Sequence, residues 1–308
     1  MGSGSFVWHY KRCMRRHVLR ILAKTRPRPA PVLALLLFFP ALALGQELPK
    51  WEAGIGVALL NIPDYRGSDK QRTYVLPLPY LVYRGETVMV DKEGAHADVF
   101  KTDRVKLDLS LSAGPPAESS EDGARSGMQD IDPTLEGGPA LKVRLTPDRM
   151  SDYIWSLRFP LHAVVATDLA HYRFIGWSFS PYLNFDAFNL GPRGGWNLGV
   201  AVGPLYASEA YHDYYYEVAP EYATATRPAY DARGGYNGSR VTMALSKRFN
   251  GYWIGGFVRY DNLAGAVFED SPVVRKKESW MLGVGISWIY SRSAERVYVP
   301  PEVEQGRY

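Results

Sequence analysis

The sequence predicts an all-β protein, a single antiparallel transmembrane β-barrel of about twelve strands behind a cleaved signal peptide. Three observations carry this. Segments of about 10–13 residues alternate large apolar with small or polar side chains, with aromatics near the ends of the apolar parity, as lipid-spanning strands do. A basic stretch followed by an apolar run opens the chain, and no apolar run of 18 residues follows it. Short turns and long loops alternate between the strands, as they do at the two ends of a barrel.

The N-terminal segment skews the charge of the chain. The formal net charge is +4, from 36 Lys/Arg against 32 Asp/Glu. Eight of the basic residues, Lys11, Arg12, Arg15, Arg16, Arg20, Lys24, Arg26 and Arg28, precede the apolar run that begins at Pro31. Removing those eight leaves 28 basic residues against 32 acidic ones, a net of −4 for the remainder. The basic excess therefore belongs to a targeting segment, and nucleic acid is not an expected partner. Small residues at Ala43 and Gly45, or at Ala41 and Ala43, suit signal cleavage, giving a leader over 1–45, a barrel over 46–290 and a periplasmic tail over 291–308. The one cysteine, Cys13, falls in the leader, so no disulfide or thiol chemistry is expected in the mature chain.

The strands follow in order. Trp51–Leu60 sets Trp51, Ala53, Ile55, Val57 and Leu59 against Glu52, Gly54, Gly56 and Ala58. Thr73–Arg84 places Tyr74, Leu76, Leu78, Tyr80 and Val82 on one parity and Pro77 and Pro79 on the other. Proline removes ladder donors, so this strand is expected to be distorted or locally unpaired. Residues 86–100 read as a short hairpin around Gly94, and taking them as one or two strands separates the counts, with ten also possible. Arg104–Ala113, Thr134–Thr146, Tyr153–Val165, Arg173–Phe185 and Trp196–Tyr206 alternate in the same way. Gly235–Phe249 and Tyr252–Leu263 form a hairpin at Asn250-Gly251, a tight-turn signal. Glu278–Tyr290 closes the series with Trp280, Leu282, Val284, Ile286, Trp288 and Tyr290 on one face. Counting twelve puts loops 61–72, 114–132, 166–172, 207–233 and 264–277 outside, and turns near 85, 103, 149, 190 and 250 inside. Lipid and lipopolysaccharide are then the surroundings of the barrel wall.

Lys106, Asp108, Glu136, Lys142, Arg144 and Arg158 share the polar parity of three consecutive strands. Charge facing lipid at midplane costs about 2–4 kcal/mol, so these residues are expected in the lumen. They line a pore or fill a narrow interior with cross-strand pairs. His96, His162, His171 and His212 lack metal-ligand spacing, and no metal or cofactor is expected. Ser156 and His162 share a strand face but stand about 20 Å apart at the strand rise, so they form no nucleophile–base pair, and no enzyme is expected.

Three motifs point to a family. The loop Pro63-Asp64-Tyr65-Arg66-Gly67-Ser68-Asp69, with the strand Val75-Leu-Pro-Leu-Pro79, resembles the opening of the MltA-interacting protein (MipA)/OmpV family of outer-membrane proteins. The tyrosine-rich stretch from Tyr216 through Tyr230 to Gly235 resembles an outer loop of that family. Leu263–Val274, with Ser271-Pro272, resembles its last loop. The resemblance spans about 51–290. It implies an outer-membrane barrel and a scaffold linking a murein hydrolase (a lytic transglycosylase) to a murein synthase (a penicillin-binding protein). Other members are treated as adhesins or porin-like proteins, which leaves a passive channel or a loop-borne adhesin as alternatives. The motif residues Asp64, Tyr65, Gly67, Ser68, Tyr230, Gly235, Ser271 and Pro272 are candidates for partner contacts or for packing loops over the barrel mouth. Family members commonly stop at the last strand, whereas this chain continues from Ser291 to Tyr308.

Overall fold

The computed structural model describes residues 46–84, 88–91, 94–119, 123–147, 151–168 and 170–299. The leader over 1–45, the turns expected near 85 and 149, and the tail beyond 299 lie outside the described residues. Strands β2 (Trp51–Pro63), β3 (Gln71–Arg84), β4 (Val88–Asp91), β5 (Gly94–Lys101), β6 (Val105–Gly114), β7 (Thr134–Arg144) and β8 (Tyr153–Thr167) each pair antiparallel with the next. Strands β9 (Tyr172–Phe179) and β10 (Tyr182–Leu190) both pair with β8, at its far and near halves, so they form one strand position interrupted at Ser180-Pro181. Proline has no N–H to give the ladder, which accounts for a break there. The ring continues through β11 (Trp196–Ala207), β12 (Gly235–Arg248), β13 (Tyr252–Asn262) and β14 (Glu278–Arg292), and β14 returns to β2. Twelve strand positions close the barrel, and the ten-strand count falls away because β4 and β5 fill two of them.

The closing seam depends on glycine. A Cβ at Gly54 or Gly56 would run into the carbonyl oxygens of Trp288 and Ile286 across the β2–β14 seam. Small residues let these two strands meet.

The two faces separate as the period-2 pattern requires. Outward stand Val57, Leu59, Val75, Leu111, Leu282 and Val284, all strongly exposed in the absence of lipid. Tyr260 and Trp280, with ring centroids 4.8 Å apart, mark the belt at the long-loop end. Tyr252, in register with Trp288, marks it at the short-turn end. The buried charges Glu52, Lys106, Lys142, Arg144 and Asp261 stand on the inward parity.

Strand β3 is straight along β2, in unbroken register from Trp51↔Tyr83 to Pro63↔Gln71. On its other edge, among the described residues, β4 pairs only with Tyr83 and Arg84.

At the short-turn end β1 (Gln46–Pro49) pairs with β15 (Arg296–Val299) in a separate two-stranded ribbon. Lys50 Nζ and Glu295 stand 3.0 Å apart beside it. The stretch expected as a tail thus begins inside β14, and its residues up to 299 fold back onto the start of the barrel domain. At the opposite end the segment expected as a loop over 207–233 contains helix α1 (Glu209–Tyr216) and a single 3-10 turn, Pro220–Tyr222.

Candidate functional site

The long loops converge on a common buried core of Tyr65, Ile131, Tyr216, Val218, Leu263 and Phe268, with smaller residues between them. Helix α1 supplies its centre. Eight residues are too few for a stable isolated helix. This one is held by packing: Tyr211, Tyr214 and Tyr215 cover Val164, Ala166 and Ile175 on the barrel wall. Val164 and Ala166 share the inward parity of His162, so the helix sits inside the outer part of the lumen and plugs it.

The three sequence motifs are brought together in this plug. Tyr65 donates its hydroxyl to the Val273 carbonyl at 2.7 Å. Gly67, at φ +99°, offers its carbonyl to the backbone N–H groups of Arg275 and Lys276 at 2.8 and 3.1 Å. A positive φ there suits glycine. Ser68 is buried and its Oγ accepts from Lys70 N, while Asp64 pairs with Arg72 at 2.8 Å. Ser271 donates to the Tyr216 carbonyl at 2.7 Å, and Tyr216 donates to the Arg66 carbonyl at 3.0 Å. The Tyr216 ring stacks on Phe268, with centroids 3.7 Å apart. Tyr230 exchanges both backbone hydrogen bonds with Val218. Pro272 lies half-buried between Ser271 and Val273, and Gly235, at φ +141°, starts β12. Arg125 and Arg227 tie the loop after β6 to this core by donating to the carbonyls of Tyr215, Ala124 and Ser126.

Burial sets the ionisation of the plug. The Tyr65 phenol is pushed up to about 12 by burial, and the buried Tyr216 phenol is raised too, so both stay neutral donors. Asp213 borders a cleft of about 280 Å³ with Arg125, Arg173, Tyr214 and Glu217. Burial, then the nearby carboxylates Glu217, Glu209 and Asp231, push its carboxyl up to about 6.

Below the plug, Lys106 and Asp108 on β6, Glu136, Lys142 and Arg144 on β7, and Arg158 on β8 all lie on the inward parity. Lys106, Lys142 and Arg158 stand in direct register, a row of three cations across three strands. Asp108 answers Lys106 at 3.5 Å. Two further charge centres were missed. Glu52, 1% exposed, is held by Arg84, Arg248 and Arg292. Asp261 is held by Arg66 at 3.1 Å and Arg240 at 2.8 Å. Glu52 was visible as the acidic member of a glycine-alanine parity. Its partners come from β3, β12 and β14, and no spacing announces them.

The structure also joins a serine and a histidine across strands. Ser110 Oγ is 2.8 Å from His162 Nε2, and His162 Nδ1 is 3.7 Å from Glu136 Oε2. Hydroxyl and imidazole are in hydrogen-bond contact. The carboxylate is beyond that range and instead accepts from Ser178 at 3.3 Å. A nucleophile needs its base oriented by a third group, and 3.7 Å does not do that. Among the described residues no cluster of His, Cys, Asp or Glu is arranged to hold a metal.

A closed antiparallel ring with an apolar outer belt, aromatic girdles and buried charge turned to the lumen defines an integral outer-membrane β-barrel. The family model described as MltA-interacting protein MipA matches residues 55–290, and the chain belongs to that family. No curated protein sequence matches it. Among solved structures it is similar to a bacterial polysaccharide outer membrane secretin, at 9% identity and a TM-score of 0.38 over 78% of this chain and 98% of that one. It is similar also to the outer membrane protein OmpT of Vibrio cholerae, at 8% identity and 0.33 over 78% and 96%. The outer membrane protein OprG of Pseudomonas aeruginosa follows, at 10% identity and 0.22 over 80% and 95%.

Proposed function

We propose that this protein is a non-catalytic outer-membrane scaffold that holds murein-remodelling enzymes, a lytic transglycosylase and a penicillin-binding protein, on its periplasmic side. The observation that carries the reading is the asymmetry of the two ends. The long-loop end is closed by a buried plug that absorbs the family motifs, which counts against an open channel. The short-turn end presents the β1–β15 ribbon, whose two outer edges have no strand partner among the described residues. Ribbon edges accept a partner strand by backbone hydrogen bonding, with Tyr298 as an exposed aromatic contact. The family's own description, a protein that interacts with MltA, supports a murein enzyme as the partner.

The test is crosslinking in cells followed by isolation of the full chain. A murein hydrolase or synthase should be captured with it and lost when residues 293–308 are deleted, while the barrel still migrates differently unboiled and boiled. Failure of the intact chain to capture either enzyme would remove the scaffold reading. The non-catalytic part is tested separately: a fluorophosphonate probe should leave Ser110 unlabelled.

A further inference from the structure

Strand β3 runs through the barrel wall with one edge largely unpaired among the described residues. Arg84 N donates to the Lys50 carbonyl at 2.8 Å and Asp64 N to the Lys70 carbonyl at 3.2 Å. In an unbroken register these bonds commit the even-numbered residues of β3 to β2. The odd-numbered residues from Thr73 to Leu81 therefore turn their backbone groups to the opposite edge. There β4 reaches only Tyr83 and Arg84, and the chain already turns back between Asp91 and Gly94. Strand β5 pairs with β6 as far as Ser110. Above that short hairpin β3 faces β6 across a lateral notch. The free edge from Thr73 to Leu81 is roughly 26 Å long at the strand rise, close to the hydrocarbon thickness of a bilayer. Arg72 reaches over the top to Glu118 at 3.2 Å and closes the notch towards the loops.

Backbone groups left unpaired in hydrocarbon have no water to bond to and are costly, so such an edge needs a reason. Two of its five odd-numbered positions are Pro77 and Pro79, whose nitrogens point to the notch and carry no proton. They lower the number of unmet donors and block addition of another strand, from a second copy or from a peptide. Apolar side chains line both faces of β3. Val75 and Leu81 point to lipid, and Leu76 and Leu78 point inward. Leu76 remains 42% exposed on the inward side, so there is open space beside it. The inner wall next to it is smooth: a Cβ at Gly285 would strike Leu78, and one at Gly283 would strike Phe257 and Leu60.

We propose that this notch is a lateral binding site for an acyl chain of a bilayer lipid, which passes the β3 edge and lies against Leu76 and Leu78 in the lumen. The occupant follows from three features. The notch is continuous with the lipid-facing surface, its β3 wall is apolar through Val75, Leu76, Leu78 and Leu81, and its prolines exclude a strand.

The full chain is reconstituted in phosphatidylcholine vesicles containing a phospholipid with a diazirine in its acyl chain, irradiated, and mapped by peptide mass spectrometry. Adducts are expected on the inward Leu76 and Leu78 as well as on the outward Val284. Leu76→Glu should lower the inward adducts about tenfold, the effect of ~1.4 kcal/mol on occupancy, with Val284 labelling and heat-modifiable migration unchanged. Adducts confined to outward residues would overturn the proposal. So would inward labelling by a water-soluble short-chain diazirine acid but not by the phospholipid, which would mean entry through the barrel ends. Crosslinked dimers joined through β3 would overturn it in favour of a second copy.

Discussion

Glu52 shows how much a single side chain can hold. It is buried at the short-turn end with Arg84 at 2.9 Å, Arg248 in direct contact and Arg292 at 3.4 Å. Glu52→Gln leaves three guanidinium groups facing one another without an anion. Removing one partner of a buried pair costs about 3–5 kcal/mol, and the temperature at which the folded gel band converts to the unfolded one should fall accordingly. An unchanged conversion temperature would mean that water screens this cluster. Asp213 makes the opposite test at the plug. Its folded value of about 6 lies above the ordinary carboxylate value near 4. Between those values the folded state binds more protons than the unfolded one, so plug stability falls as pH rises from about 4 to about 6. Protease resistance of the outer loops should drop across that window, and Asp213→Asn should flatten the profile. That Lys106, Lys142 and Arg158 share one parity was legible in the sequence, because a strand offers only two faces, and they stand in register across β6 to β8. The pairing of Ser110 with His162 was not, since it joins residues 52 positions apart.

At the scale of elements, strands and loops differ in what their residues disclose. Each long strand announces itself, because lipid on one side and lumen on the other impose a strict period of two. Pro77 and Pro79 raised a distorted or locally unpaired strand; β3 keeps an unbroken register with β2, and among the described residues β4 pairs only with its Tyr83 and Arg84. Helix α1 left no such mark. It is short, it has a pattern of tyrosines without an apolar stripe, and it exists through its contacts with Val164, Ala166 and Ile175. Phe268→Ala removes the ring stacked on Tyr216 and should cost about 3–5 kcal/mol. The loss should be local. Limited proteolysis should cut within 208–234 while the heat-modifiable barrel band persists, and loss of that band would show that plug and barrel fold as one unit.

For the whole molecule, the plug decides between a conduit and a closed barrel. Twelve strands enclose more room than the roughly eight that side chains alone fill. Here that room is occupied from the outer end by α1 and the loop core, and lower down by charged side chains. The intact protein should give no steady conductance steps in a planar bilayer. Deletion of 209–233, with a short linker joining β11 to β12, should produce them. Steps of equal size from both proteins would place the conducting path outside the plug.

The amino-acid sequence by itself determined the barrel, its twelve strands and the lipid-facing parity, because a bilayer restricts each spanning residue to one of two environments. Its motifs also marked the family. Only the tertiary structure decided what those motifs do for the fold: residues from loops far apart in the chain meet as one buried core, held by packing and by hydrogen bonds to backbone carbonyls. Contacts of that kind depend on which loops the ring brings to the same end, and no local period records them.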